Sequence, residues 1–241
     1  SGAYATYVGQ EIGQFYGWVY KGIARTQEDL DNNAVQQGAN VGDCLYEDIS
    51  GPDGTPDGVI DAYDQTVLGS GLPKVNFGLS THLEYKGFDL NISTYGVLNY
   101  HVSDDIYNSL NSCYGYGNKE VGMLDANRWS EDGSTYLSSV PRTYAANNAT
   151  LAWNDLFSSR KIQNAAYWKI ANVELGYNFP DKWFGGYVNG VRLYVSAQNL
   201  YTFTGYHGYN VDYAGGTFTP GYNFCSFPSA RTFMCGLHFT F

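Results

Sequence analysis

The chain has 241 residues, a net charge of -10 and no basic cluster, which argues against nucleic acid as a partner. Charged residues make up only 15% and mean hydropathy is -0.32, so the polarity comes from Gly, Asn, Ser, Thr and Tyr. No run of about 18 apolar residues occurs, which excludes a transmembrane helix but not a β-barrel, whose strands show only alternation. No signal peptide opens the chain at Ser1, so either one was removed or this is a piece of something longer.

Residues 10–23, QEIGQFYGWVYKGI, read as a strand rich in Gly and aromatics. Residues 24–73 form a long polar excursion broken by Gly and Pro. Its acidic stretch fits a twelve-residue calcium loop, with oxygens from Asp53, Thr55, Asp57, the Val59 carbonyl, Asp61 and Asp64, and Gly58 at the sharp turn. Calcium is a hard cation that gathers oxygens, and four carboxylates so close together otherwise repel. Thr at the third position and Asp rather than Glu at the twelfth depart from the pattern, and Asp48 and Ser50 are substitutes just upstream. The competing reading is a solvated acidic turn, since Asp-Gly and Pro-Asp-Gly are plain turn formers.

From Val75 to Tyr85 apolar and polar residues alternate. After Lys86-Gly87, Phe88, Leu90, Ile92 and Thr94 oppose Asp89, Asn91, Ser93 and Tyr95, which predicts a hairpin. Residues 99–164 carry no sustained period. They are rich in Asn, Ser, Gly and Tyr, and a structureless stretch of that length is unusual in a compact soluble domain. Alternation returns at 168–179, with Ala171, Val173, Leu175, Tyr177 and Phe179 against Ile170, Asn172, Glu174, Gly176 and Asn178. Pro180 ends it. A short connector leads to Val191, Leu193, Val195 and Ala197 opposite Arg192, Tyr194, Ser196 and Gln198. Residues 202–229 are another Tyr- and Gly-rich loop. The last stretch, Arg231 to Phe241, puts Phe233, Cys235, Leu237, Phe239 and Phe241 on one face.

Long and short connections therefore alternate strictly, as in an outer-membrane barrel with long outer loops and short periplasmic turns. Lys182, Trp183 and Phe184 in one short connector, and Tyr85 and Lys86 beside the other, suit an interfacial belt. The fold class expected is all-β: an antiparallel transmembrane β-barrel segment of about six strands. Such barrels have at least eight strands and an open edge facing lipid leaves backbone groups unpaired, so the chain is expected to be the carboxy-terminal part of a larger barrel.

Several blocks strengthen this reading: DGVIDAYDQTVLG, LPKVNFGLSTHLEYKGFDLNIS, YWKIANVELGYNFPDKW, VRLYVSAQNLYTFTGYHGYN and the aromatic last strand. In that order, and with EIGQFYGWVYKGI ahead of them, they resemble the carboxy-terminal part of the SusC-like TonB-dependent transporters of Bacteroidetes. The resemblance implies an outer-membrane barrel of roughly 22 strands with a plug inside. It implies import of an oligosaccharide or peptide under a SusD-like lipoprotein, driven through TonB. The plug and the TonB box have no counterpart in this sequence. With the carboxy-terminus periplasmic, residues 24–73, 99–164 and 202–229 are expected outside the cell, and the calcium turn with them. The resemblance also makes the terminal aromatics Phe233, Phe239 and Phe241 a signal for barrel insertion.

No catalytic constellation is found, and no enzyme activity is expected. His82, His238, Glu84 and Glu174 fall on expected lumen faces, where a polar lining explains them. Tyr114, Tyr116, Trp129 and Trp153 are candidate substrate-binding platforms, with loop packing as the competing role. Cys44, Cys113, Cys225 and Cys235 show no zinc spacing and are expected as free thiols. The alternative reading of the chain is a secreted, calcium-stabilised β-sandwich that binds carbohydrate.

Overall fold

The computed structural model describes residues 3–113, 118–123, 128–132, 135, 137–143, 153–183, 188, 190–212 and 215–240. The chain divides into two compact units: a sheet unit of residues 73–100, 164–212 and 226–241, and a loop unit of residues 1–72, 101–163 and 213–225.

The sheet unit is one five-stranded antiparallel sheet of β1 (Val75–Tyr85), β2 (Phe88–Leu98), β3 (Tyr167–Phe179), β4 (Gly190–Thr204) and β5 (Thr232–Thr240). Each strand pairs with its neighbour in sequence, giving an up-and-down meander. The β1–β2 hairpin closes on Tyr85 opposite Phe88, with Lys86 and Gly87 both at positive φ (48° and 86°). That is the mirror-image turn whose twist matches the strands, and the Gly makes its second position inexpensive. The five strands run 9 to 15 residues, enough to cross a bilayer at a tilt.

Registers carry the two faces across all five strands. Leu83, Leu90, Leu175, Val195 and Cys235 line up on one face. Asn91, Glu174, Ser196 and Met234 line up on the other. One parity differs from the sequence reading. The register of β3 shifts between Ile170 and Asn172 against both neighbours, so a bulge at Ala171 places Ile170 on the apolar face with Val173 rather than with Asn172. Asn199, at φ 51°, takes up the matching irregularity in β4.

Burial in this unit inverts the usual rule. Leu79 is 62% exposed, Leu237 58% and Val195 50%, whereas Asp89 and Lys169 are each 4% exposed. Aromatics bound the exposed apolar face at both ends. Near the short turns, Phe88 and Tyr177 approach to 4.6 Å between ring centroids and Tyr177 and Phe179 to 4.9 Å. At the opposite end Trp168 stacks on Phe203 at 5.4 Å, and Tyr201 meets Phe203 edge-on at 4.7 Å. Between the belts the face is Leu79, Leu83, Leu90, Ile92, Val173, Leu175, Leu193 and Val195. Trp168 and Tyr177 lie nine positions apart on β3. That spans about 30 Å along a strand, or about 21–25 Å along the membrane normal at barrel tilts, the height of an outer-membrane apolar band.

The loop unit follows water-soluble logic. Phe15, Cys44, Tyr46, Ile60, Val102 and Cys113 are buried, and Trp18, Trp153 and Leu156 pack against the Cys44–Tyr46–Ile60 cluster. The 10–23 stretch lies here and not in the sheet, so the sheet has five strands where six were expected. It forms two four-residue strands, Gln14–Gly17 and Tyr20–Ile23, which pair with Thr66–Ser70 and Cys44–Tyr46 respectively. At Gly17 the backbone approaches Phe157 so closely that a Cβ would stand 2.2 Å from its carbonyl oxygen. There the chain leaves one short sheet for the next. A buried polar knot joins the first two long connections. Asp43 accepts from Arg142 Nε and Nη2 at 2.6 and 2.8 Å and from Asn154 Nδ2 at 2.9 Å, while Asn154 Oδ1 accepts from Cys44 N–H at 2.7 Å. The long stretches are thus not structureless; they supply one another's core.

Candidate functional site

The polar face of the sheet carries an ion-pair network set by strand register. Arg192 on β4 sits opposite Asn178 on β3, and Gly176 on β3 sits opposite Asp89 on β2. Arg192 reaches across β3 and donates to Asp89 at 2.5 and 3.0 Å and to Glu174 at 2.7 Å, while Asn178 Nδ2 donates to Asp89 at 3.0 Å. Gly176 makes this possible, because a Cβ there would stand 2.5 Å from both Arg192 Nη2 and Asp89 Oδ2. The Arg192 guanidinium also lies 5.3 Å from the Tyr194 ring centre, and that ring covers Gly236 on β5. On β1, His82 contacts Asn91 Oδ1 at 2.6 Å and Glu84 at 3.0 Å.

The end of the same face away from the short turns holds a second cluster. Asp212 accepts from Tyr95 at 2.5 Å, Tyr167 at 2.9 Å and Lys169 at 3.1 Å. Burial pushes the Asp212 carboxyl up, but these three donors outweigh it and hold it below the usual carboxylate range. Register places His82, Glu84, Glu174 and His238 on this polar face, as the alternation implied. The Asp89–Arg192 pair and Asp212 were not singled out in the sequence. Asp89 and Arg192 do have polar-face parity, but nothing in a one-dimensional pattern brings positions 103 apart together.

In the acidic turn, Asp64 is fully buried and is not a free ligand. Its Oδ1 accepts from Ile49 and Ser50 N–H at 2.7 and 3.1 Å, and its Oδ2 from Asp61 N–H at 2.8 Å. It staples the chain before the turn to the chain after it. Asp53 accepts from Thr55 N–H and hydroxyl at 3.1 and 2.9 Å, and Asp57 accepts from Val59 N–H at 3.0 Å. Asp61 caps the short helical turn Ala62–Asp64 by accepting from Tyr63 N–H at 2.7 Å. Among the described residues no group of three His, Cys, Asp or Glu side chains, the Asp53, Asp57, Asp61 and Asp64 carboxylates included, is placed to hold a metal. One oxygen nearby lacks a partner: Asp48 Oδ1 is buried without a hydrogen bond.

Trp129 is buried, with its ring over Gly42, and offers no open platform. Trp153 donates from Nε1 to the Gln37 carbonyl at 3.1 Å, and its own carbonyl accepts from the Tyr46 hydroxyl. Both rings pack the loop unit, the competing role foreseen for them. Tyr114 and Tyr116 lie outside the described residues, as do Phe184 and Phe241. Phe233 and Phe239 lie exposed on the apolar face of β5, and Tyr85 and Trp183 are exposed beside the short connections.

An antiparallel sheet that turns an apolar, aromatic-bounded face outward and pairs its charges on the other is the wall of a transmembrane β-barrel. No family model matches the chain. It is 30% identical to TonB-dependent receptor P3 of Formosa agariphila, over 97% of this chain and 22% of that receptor. It is 25% identical to TonB-dependent receptor SusC of Bacteroides thetaiotaomicron, over 87% of this chain and 21% of that receptor. Its fold is similar to that in the structure of the RagAB peptide transporter, with TM-score 0.70 and 21% identity over 94% of this chain and 22% of that one. Over nearly its whole length the chain is homologous to SusC-like TonB-dependent receptors, and its place is the bacterial outer membrane. It spans about a fifth of the length of those relatives.

Proposed function

We propose that the chain is the carboxy-terminal barrel wall of a TonB-dependent importer of oligosaccharides or peptides that works with a SusD-like surface lipoprotein. The observation that carries this reading is the sheet with reversed burial, apolar residues outward between two aromatic belts and ion pairs inward. The rest of the barrel, a plug and a TonB-binding segment belong to the remainder of the importer. The long connections 24–73, 99–164 and 202–229 face outside, and the 180–190 turn faces the periplasm. The test uses the full-length receptor in cells. An epitope inserted near Asn32 is expected to be reached by antibody on intact cells, and one inserted at Lys182 only after permeabilisation. Uptake of a labelled oligosaccharide or peptide is expected to stop when TonB is deleted. Reversed epitope access, or uptake that survives loss of TonB, rejects the reading.

Two smaller proposals accompany it. The exposed Phe233 and Phe239, with Phe241, act as the insertion signal. Deleting Phe241 is expected to lower the outer-membrane level of the receptor, and an unchanged level removes that role. Calcium is proposed at the acidic turn, where binding requires Asp53, Thr55, Asp57, the Val59 carbonyl and Asp61 to close in from the arrangement seen here, with the partnerless Asp48 oxygen as substitute for Asp64, which keeps its staple. Equilibrium dialysis of the full-length receptor is expected to find an ion that Asp48→Asn loses; no bound calcium ends the proposal.

A further inference from the structure

The loop unit contains a cavity of about 310 Å³ whose wall includes Tyr20, Tyr107, Asn108, Asn111, Arg160 and Lys161. In a chain of net charge -10, two adjacent cations line it and no carboxylate does. Arg160 stands apart from the other paired arginines. Arg142 and Arg192 each hold a carboxylate with two nitrogens at 3.0 Å or less. The contacts of Arg160 are the Asn154 carbonyl at 3.5 Å and Cys113 Sγ at 4.0 Å, and among the described residues no carboxylate pairs with it. A guanidinium carries five N–H donors, so most of these are unspent.

Lys161 is compensated only in part. It donates to the Asp155 carbonyl at 2.5 Å and stands 3.7 Å from that residue's carboxylate, which is occupied by Cys113 N–H at 2.9 and 3.1 Å. Burial pushes the Lys161 ammonium down from its ordinary range, and the Asp155 charge only partly opposes this. A desolvated cation in this condition gains most from an incoming anion. The amide hydrogens of Asn108 and Asn111 are already engaged. Asn108 donates to Ser103 Oγ and the Lys161 carbonyl at 3.1 and 3.3 Å, and Asn111 to the Tyr107 carbonyl and Glu120, both at 2.9 Å. They hold the wall in place. The donors left along the wall include Arg160, Lys161 and the hydroxyls of Tyr20 and Ser139.

We propose that this cavity is a binding site for an oxyanion, either a carboxylate or a sulfate group, held chiefly by Arg160. The proposal goes beyond import, since the anion binds in the loop unit whether or not the barrel transports, and its test reads binding alone. Crystals of the full-length receptor are soaked with selenate in one arm and bromoacetate in the other. For selenate an anomalous selenium peak is expected about 4 Å from the nearest Arg160 guanidinium nitrogen, one hydrogen bond plus one Se–O bond away, and for bromoacetate a bromine peak further out by the length of that ligand. Selenate alone identifies a sulfate site, bromoacetate alone a carboxylate site, and both a site that takes either. No peak in the cavity in either arm, or peaks elsewhere only, overturns the proposal, and this wild-type measurement needs no variant. Calorimetric titration of the same anion is expected to weaken about tenfold in Arg160→Met, the loss of one charge-assisted hydrogen bond, and less in Arg160→Lys. Equal affinity in an Arg160→Met receptor that keeps its thermal midpoint overturns it as well.

Discussion

The two units obey opposite burial rules within one chain. In the loop unit Phe15, Tyr46 and Cys44 are buried. In the sheet unit Phe233, Leu237 and Val195 are exposed and Asp89 is buried. The difference is one of solvent. A face against lipid gains nothing by hiding Leu, and a charge there is costly, whereas water drives apolar side chains together. The same low fraction of charged residues thus serves both units, provided the charges stay off the outward face of the sheet.

The sharpest way to break this comparison is to put a charge on that face. Val173 sits between Ile92 and Ala197, midway between the aromatic belts. Val173→Arg in the full-length receptor is expected to destabilise the barrel by roughly 2–4 kcal/mol, the cost of Arg near the bilayer midplane. Ser80→Arg, at a polar-face position opposite Ser93, is expected to cost much less. The readout is denaturant unfolding in lipid vesicles, followed by the loss of heat-modifiable mobility on gels. Equal costs at the two positions sink the assignment of faces.

The loop unit offers the counterpart. Asp64→Ala leaves the N–H groups of Ile49, Ser50 and Asp61 without their acceptor. Its expected cost is about 2–3 kcal/mol, and Asp64→Asn, which keeps one carbonyl oxygen, costs less. Hydrogen exchange of the 46–64 segment reads it, since the fault is local to that turn. Unchanged protection there contradicts the staple. Next in size is the pair on the polar face. Arg192→Met strands Asp89 and Glu174, at roughly 2 kcal/mol, below the fully buried case because the Arg192 side chain is 25% exposed. Asp89→Asn added to Arg192→Met is expected to recover part of that loss, and a strictly additive double mutant denies the coupling.

How much of this was legible depended on how local the cause was. The faces of β1, β2, β4 and β5 follow from alternation alone, and Lys86-Gly87 marks its own turn. The bulge at Ala171 was not legible, because a parity change is defined only against the neighbouring strands. Nor was the core of the loop unit, where Cys44, Tyr46 and Ile60 meet Trp18, Trp153 and Leu156 from separate stretches without a period. Gly17 looked like one more residue of a strand, although its lack of a side chain is what lets the chain pass so close to Phe157. In the acidic turn the spacing was read as a ligand set. The fully buried Asp64 serves the backbone instead, and a motif of alternating carboxylates looks the same in both cases. The four polar-face residues His82, Glu84, Glu174 and His238 were placed correctly because a face needs only parity, whereas the partners of Arg192 need three dimensions.

The smallest expected effect lies at the rim of the polar face, where the two solvents meet. Asp212 is held ionised by Tyr95, Tyr167 and Lys169. Its folded-state pKa is depressed, so its contribution is fully present above the unfolded carboxylate value, about 3.9, and is lost as pH falls through the lower folded value. Asp212→Asn should therefore lower the thermal midpoint of the receptor by a constant amount from neutral pH down to about 5. Below that the difference from wild type should shrink and vanish, as protonation does to the wild type what the substitution has already done. A difference that persists unchanged through the acid range would mean that the three donors recognise the shape of the side chain and not its charge. The rim would then resemble the packed interior of the loop unit more than the ion-paired lining of the sheet.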